Sequence, residues 1–70
     1  MSWSQSVFSE NVSEVGYDDE SGELLVVWKS GKTSAYQGVP EDVALKLANA
    51  PSVGKMINDE IRPYFQHRYK

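Results

Sequence analysis

At 70 residues the chain can build one small core, burying only roughly 60% of its unfolded surface, which excludes a second domain. It contains no cysteine, so neither a disulfide framework nor a thiolate zinc site can add stability, a secreted mini-protein is disfavoured, and the cytoplasm is the expected compartment. A formal net charge of −3 argues against indiscriminate adhesion to nucleic acid, which draws on clustered Lys and Arg.

Residues 1–11 begin as a polar tract, with serines around Trp3, Val7 and Phe8. The tract is too irregular to form an element by itself and reads as a flexible arm. It lacks the basic and apolar regions of a signal peptide, and no apolar run approaches the ~18 residues of a membrane span. From Val12 to Tyr17 a half-pattern of alternation places Ser13, Val15 and Tyr17 on one face of a first strand. It ends in Asp18-Asp19-Glu20-Ser21-Gly22, a cluster of turn formers with a glycine suited to positive φ. That cluster lacks the spacing of a calcium loop and reads as a solvated hairpin tip. Glu23 to Lys29 is the strongest β signal, with Leu24, Val26 and Trp28 on one face and Leu25, Val27 and Lys29 on the other. After the turn Ser30-Gly31-Lys32, residues Thr33 to Gln37 read as a third strand, with Ser34 opposite to Ala35 and alongside Tyr36. Connections this short cannot carry a parallel crossover, so the three strands form an antiparallel meander.

At Gly38-Val39-Pro40-Glu41-Asp42 the apolar period changes from two to about 3.6, with Pro40 at a first helical position and two carboxylates in the first turn. Val43, Leu47 and Ala50 stack at helical spacing, and Ala44 and Ala48 permit close approach. Pro51 ends this helix, and Ser52 is a candidate N-cap for a second helix from about Val53. There Val53, Ile57 and Ile61 recur at intervals of four, followed by Tyr64 and Phe65, and Pro63 stops or kinks the helix near Arg62. The expected fold class is therefore α+β: a three-stranded antiparallel meander followed by two helices packed on one face.

The residues Val15-Gly16-Tyr17-Asp18, Leu24-x-Val26-x-Trp28, Gly31, Tyr36-x-Gly38-Val39-Pro40 and Ser52-x-Gly54-x-Met56-Ile57-Asn58-x-x-Ile61 form a pattern that resembles the KTSC domain over residues 12–65. The motif positions carried across are Gly16, Tyr17, Tyr36, Gly38, Val39, Pro40, Gly54 and Asn58. The resemblance implies a similar fold and a small stand-alone bacterial or phage protein. The family occurs at the C-terminus of some lysyl-tRNA synthetases, a context that implies RNA binding, although its function is not established. Its central Tyr-x-Tyr aligns with Ser34-Ala35-Tyr36, so the first tyrosine is replaced by serine here.

Catalysis finds no support in the sequence. The single histidine, His67, lies beyond a proline near the C-terminus, and no serine or acid is placed to orient it as a base. No cofactor, metal site or small-molecule substrate is implied, and the expected function is that of a non-enzymatic binding module. The charge is lopsided: all seven basic residues lie at or after Lys29, and six of the ten acidic ones before it. The segment 62–70 combines cations with aromatics, and residues 66–70 read as a basic-aromatic tail. Stacking platforms amid cations suit RNA, so the candidate RNA-binding residues are Lys29, Lys32, Lys55, Arg62, Tyr64, His67, Arg68, Tyr69 and Lys70. The alternative is a protein-interaction or self-association module. Leu25, Val27 and Ala35 would form its patch on the sheet face left open by the helices, unless Trp3, Val7 and Phe8 fold back to cover it.

Overall fold

The computed structural model describes residues 2–69 and contains a five-stranded antiparallel sheet in the order β1-β2-β3-β4-β5. The strands are β1 (Ser2–Ser6), β2 (Val12–Asp18), β3 (Glu23–Trp28), β4 (Thr33–Gln37) and β5 (Gln66–Tyr69). Helix α1 (Glu41–Ala48) follows β4, and α2 (Val53–Met56) continues without a break into a π-type turn over Ile57–Ile61. The expected meander, β2 to β4, is present with both hairpins and with two helical segments on one face. The count of three strands is corrected to five, because the polar arm pairs with β2 and the C-terminal segment pairs with β4. Neither added strand carries the apolar alternation that marks a half-buried strand. Both are edges whose residues are mostly exposed.

Register explains what each face holds. Trp3, Tyr17, Leu24, Tyr36 and His67 lie in one row across the sheet, and Gln5, Val15, Val26, Ser34 and Tyr69 in another. Both rows face the helices, where Val15, Leu24, Val26 and Tyr36 pack with Leu47, Ile57 and Ile61 in a single core. A register shift between Val12 and Glu14 makes Ser13 the extra residue of a β-bulge. This corrects the expectation that Ser13 shares a face with Val15 and Tyr17: the bulge sends Val12 into the core and leaves Ser13 exposed.

On α1 the fully buried stripe is Ala44, Leu47 and Ala48, with Val43 and Ala50 half-buried beside it. The alanines let the helix backbone lie close over the sheet, and Gln5 of β1 donates to the Ala48 carbonyl at 3.3 Å. Pro40 caps α1 from an extended conformation, and Ser52 occupies the N-cap of α2 without a side-chain hydrogen bond. Phe65 packs against the core, whereas Tyr64 points outward. Among the described residues no helix is long and apolar enough to cross a membrane.

The passage from sheet to helices is fixed at Val39. Its N–H donates to the Gly22 carbonyl at 2.9 Å, its carbonyl accepts the Tyr17 hydroxyl at 2.6 Å, and its side chain is buried. Gly38 turns the chain with φ +71°, a conformation that L side chains adopt only under strain. Burial raises the pKa of the Tyr17 hydroxyl above that of an ordinary tyrosine, and the charges of Glu41, Asp19, Asp18 and Asp42 add to the effect. Tyr36 is also raised by burial, with the Arg62 charge pulling the other way.

A raised phenol pKa means that the folded state holds the proton more tightly. The resulting stability is complete below the unfolded value of about 10 and is lost as pH rises through the folded value. Thermal unfolding followed by circular dichroism should therefore show a midpoint that falls above pH 10. Tyr17→Phe should lower the midpoint by a few degrees at neutral pH and flatten the alkaline fall; an unchanged alkaline profile would count against the Tyr17–Val39 link.

Candidate nucleic-acid interface

Two tight turns and the π turn bring distant residues around one cleft of about 880 Å³. The β3–β4 hairpin closes through Gly31 N–H to Trp28 O at 3.0 Å and Trp28 N–H to Lys32 O at 2.8 Å, and it projects Lys29 and Lys32 onto the cleft wall. The loop 7–11 lies opposite. The Ser9 hydroxyl accepts from the N–H groups of Asn11 and Val12, both at 3.4 Å, and Lys29 N–H donates to the Asn11 carbonyl at 2.8 Å. Loop and hairpin are thereby joined through backbone bonds, which hold their side chains over a shared space.

The third wall comes from the second helical segment. Its last five residues run as a π turn, with Arg62 N–H donating to Ile57 O at 2.8 Å. Such widened turns occur chiefly as single turns and often at functional sites. Here the turn presents Asn58 and Arg62 on the same side, and the guanidinium donates to Asn58 Oδ1 at 3.1 Å. Lys55 and Gly54 line the cleft one turn earlier. A Cβ placed at Gly54 would approach Ser9 Oγ at 4.0 Å, so the helix start and the loop sit close without clashing.

The aromatic wall is built from β3 and β5. The Trp28 indole N–H donates to Ser34 Oγ at 2.7 Å, which fixes the half-buried ring and satisfies a buried hydroxyl that would otherwise cost about 1–3 kcal/mol. Tyr69 meets His67 edge-on at 4.7 Å between centroids, and Lys32 Nζ lies 5.9 Å from its ring centre, within cation–π range. Phe8 stands at the mouth, its side chain wholly in solvent. Lys29, Lys32, Lys55 and Arg62 face two carboxylates, Glu10 and Asp59, among the cleft residues, a local excess of positive charge on a chain of net charge −3.

Five of the residues expected to bind RNA thus come together: Lys29, Lys32, Lys55, Arg62 and Tyr69. Three described ones stand apart. His67 packs on Tyr36, with centroids 4.9 Å apart, Tyr64 is exposed away from the cleft, and Arg68 lies on the opposite sheet face, 3.4 Å from the Glu23 carboxylate. Strand alternation separates Arg68 from its two aromatic neighbours. Lys70 lies outside the described residues.

The open face carries Leu25 and Val27 half-buried, with Ala35 already shielded between Leu25 and Arg68. Trp3 and Val7 pack toward the helices instead of covering that face. Trp3 sits 6.0 Å from Tyr17 and its indole donates to Glu41 at 3.3 Å. Sequence reasoning missed Phe8 and Trp28 as cleft residues. Phe8 was visible as a bulky apolar residue in a serine-rich tract, but nothing local says which way it turns.

The motif residues divide by position. Gly16, Tyr17, Tyr36, Gly38, Val39 and Pro40 belong to the sheet and its junction with α1, whereas Gly54 and Asn58 line the cleft. The model of the KTSC domain family matches residues 8–65. An uncharacterized protein from Stutzerimonas stutzeri (strain A1501) is 34% identical over 61 residues, covering 87% of this chain and 84% of that protein. The crystal structure of a KTSC domain protein from Yersinia pestis superposes with a TM-score of 0.90 at 27% identity, covering 100% of this chain and 99% of the other.

Because β5 is held to β4 along the Ser34–Gln37 edge, ending the chain after Phe65 should expose that edge and remove one aromatic wall. Hydrogen exchange is expected to show lost protection at β4 amides facing β5, with β2–β3 amides still protected. Unchanged β4 protection would mean that β5 is not paired in solution.

Proposed function

The chain belongs to the KTSC domain family, and from that premise we propose that it is a non-enzymatic module that binds RNA in the cleft between the loop 7–11, the β3–β4 hairpin and the π turn. The observation that carries this reading is the convergence, on aromatic walls, of cations that no carboxylate neutralises. Among the described residues no carboxylate forms an ion pair with Lys29, Lys32, Lys55 or Arg62, and the same cleft holds Trp28, Phe8 and Tyr69. Cations not neutralised by a carboxylate at one concave surface suit a polyanion, and aromatic rings beside them suit bases. The synthetase context implied by the family favours RNA as the polyanion.

Self-association through the open sheet face has less behind it. Its apolar surface amounts to two half-buried side chains, since Ala35 is already out of solvent. Arg68 and Gln37 also converge on Glu23 there, at 3.4 and 2.7 Å. Desolvating that polar cluster would oppose what Leu25 and Val27 gain on burial.

Fluorescence anisotropy with a labelled tRNA at low salt should give saturable binding that weakens steeply with added salt. For single-stranded contacts the slope of log K against log salt is about −0.7 per phosphate, so three or four contacts give a slope of roughly −2 to −3. Lys29→Glu combined with Lys55→Glu should weaken binding at least tenfold and flatten that slope. Tyr69→Ala should weaken binding, whereas Arg68→Ala, on the other face, should leave it within twofold of the parent. Equal affinity across these variants would remove the cleft as the RNA site.

A further inference from the structure

Phe8 presents a physical problem that RNA binding by phosphate contacts alone leaves unexplained. Its relative exposure is 103%, so its ring forgoes all of the roughly 1.5–3 kcal/mol that burying a phenylalanine provides. The ring is not on a loose segment. Val7 N–H donates to Ser13 O at 3.2 Å on one side, and on the other Ser9 Oγ accepts from Asn11 and Val12. The other cleft aromatics are partly committed, Trp28 through its bond to Ser34 and Tyr69 through His67 and Lys32. No ring contact engages Phe8. An unshared aromatic face on a backbone-anchored loop that lines a cationic cleft is available for stacking.

We infer that the ligand of this cleft is an unpaired stretch of RNA, one base of which stacks on Phe8 while Lys29, Lys32, Lys55 and Arg62 hold the neighbouring phosphates. This rests on the RNA-binding reading above and narrows it. A duplex offers a convex cylinder of phosphates with its bases stacked inside, and proteins read it by shape across the minor groove. A concave cleft with a ring at its lip meets a strand whose bases are splayed out. Base–aromatic stacking contributes about 1–3 kcal/mol per base with little sequence preference, so the module should tolerate many sequences while rejecting paired ones.

The test is anisotropy at low salt with a labelled ten-nucleotide single-stranded RNA and with the same strand annealed to its complement. The parent chain should prefer the single strand by tenfold or more. Phe8→Ala should weaken single-strand binding by about 5- to 140-fold with the salt slope unchanged, because no phosphate contact is removed. Phe8→Trp should retain binding, and the fluorescence of the added indole should be quenched by the single strand, a signal that a purely structural role would not produce. Phe8 touches nothing that folding requires, and circular dichroism of each variant checks this. Duplex binding as tight as single-strand binding, with the lysine reversals still weakening it, would overturn the single-strand inference and leave the RNA-binding reading standing. Parent-like affinity in Phe8→Ala would overturn the stacking role. Absence of binding by either RNA would overturn both.

Discussion

The bracketed peptide at Val39 is the constraint on which the rest of the chain depends. Its N–H reaches the tip of the β2–β3 hairpin and its carbonyl is held by the Tyr17 hydroxyl, so one residue ties the first hairpin to the exit from β4. With Gly38 turning the backbone and Pro40 presetting the next φ, the direction of α1 over the sheet is decided before the helix begins. Everything downstream inherits that direction. The small-residue stripe of α1 lies on β2, the second helical segment returns across the sheet, and β5 arrives at the free edge of β4. The cleft is formed by the far end of this path meeting the near end of the chain.

What was legible in the sequence follows from where burial imposes a pattern. Leu24, Val26 and Trp28 alternate because one face of β3 is packed, and Val53, Ile57 and Ile61 recur because one side of the second helical segment is packed. Edge strands face no such demand. Ser2–Ser6 is held by its pairing with β2, by Trp3 and by the Gln5 bond to Ala48, and Gln66–Tyr69 by backbone bonds and by His67 resting on Tyr36, so neither shows an apolar period. The bulge at Ser13 and the π turn at Ile57–Ile61 are one-residue adjustments of a ladder, which composition does not encode.

The candidate site was legible in kind and only partly in place. Lys29 and Lys32 were assignable because a hairpin turn displays its side chains, Lys55 because it lies at a helix start, and Arg62 because it opens the segment that combines cations with aromatics. In sequence the C-terminal residues form one basic-aromatic unit. In a strand they divide by parity, so Tyr69 joins the cleft and Arg68 bridges to Glu23 on the other face. The division of the motif positions has a similar basis: glycines and tyrosines at the sheet junction answer to backbone geometry and burial, while Gly54 and Asn58 sit where a loop and a helix approach each other.

Strand order that equals chain order has a consequence for how such a module can be joined to other chains. β1 and β5 occupy opposite edges, separated by four inter-strand steps of about 4.8 Å, or roughly 19 Å. Connecting the two ends directly would take a linker of about six extended residues across the sheet. Circular permutation, readily tolerated where termini lie together, would here lay new chain over the layer it crosses. A fusion through either end instead attaches its partner beside a sheet edge, and one made at the β5 edge starts from Tyr69, itself a wall of the cleft.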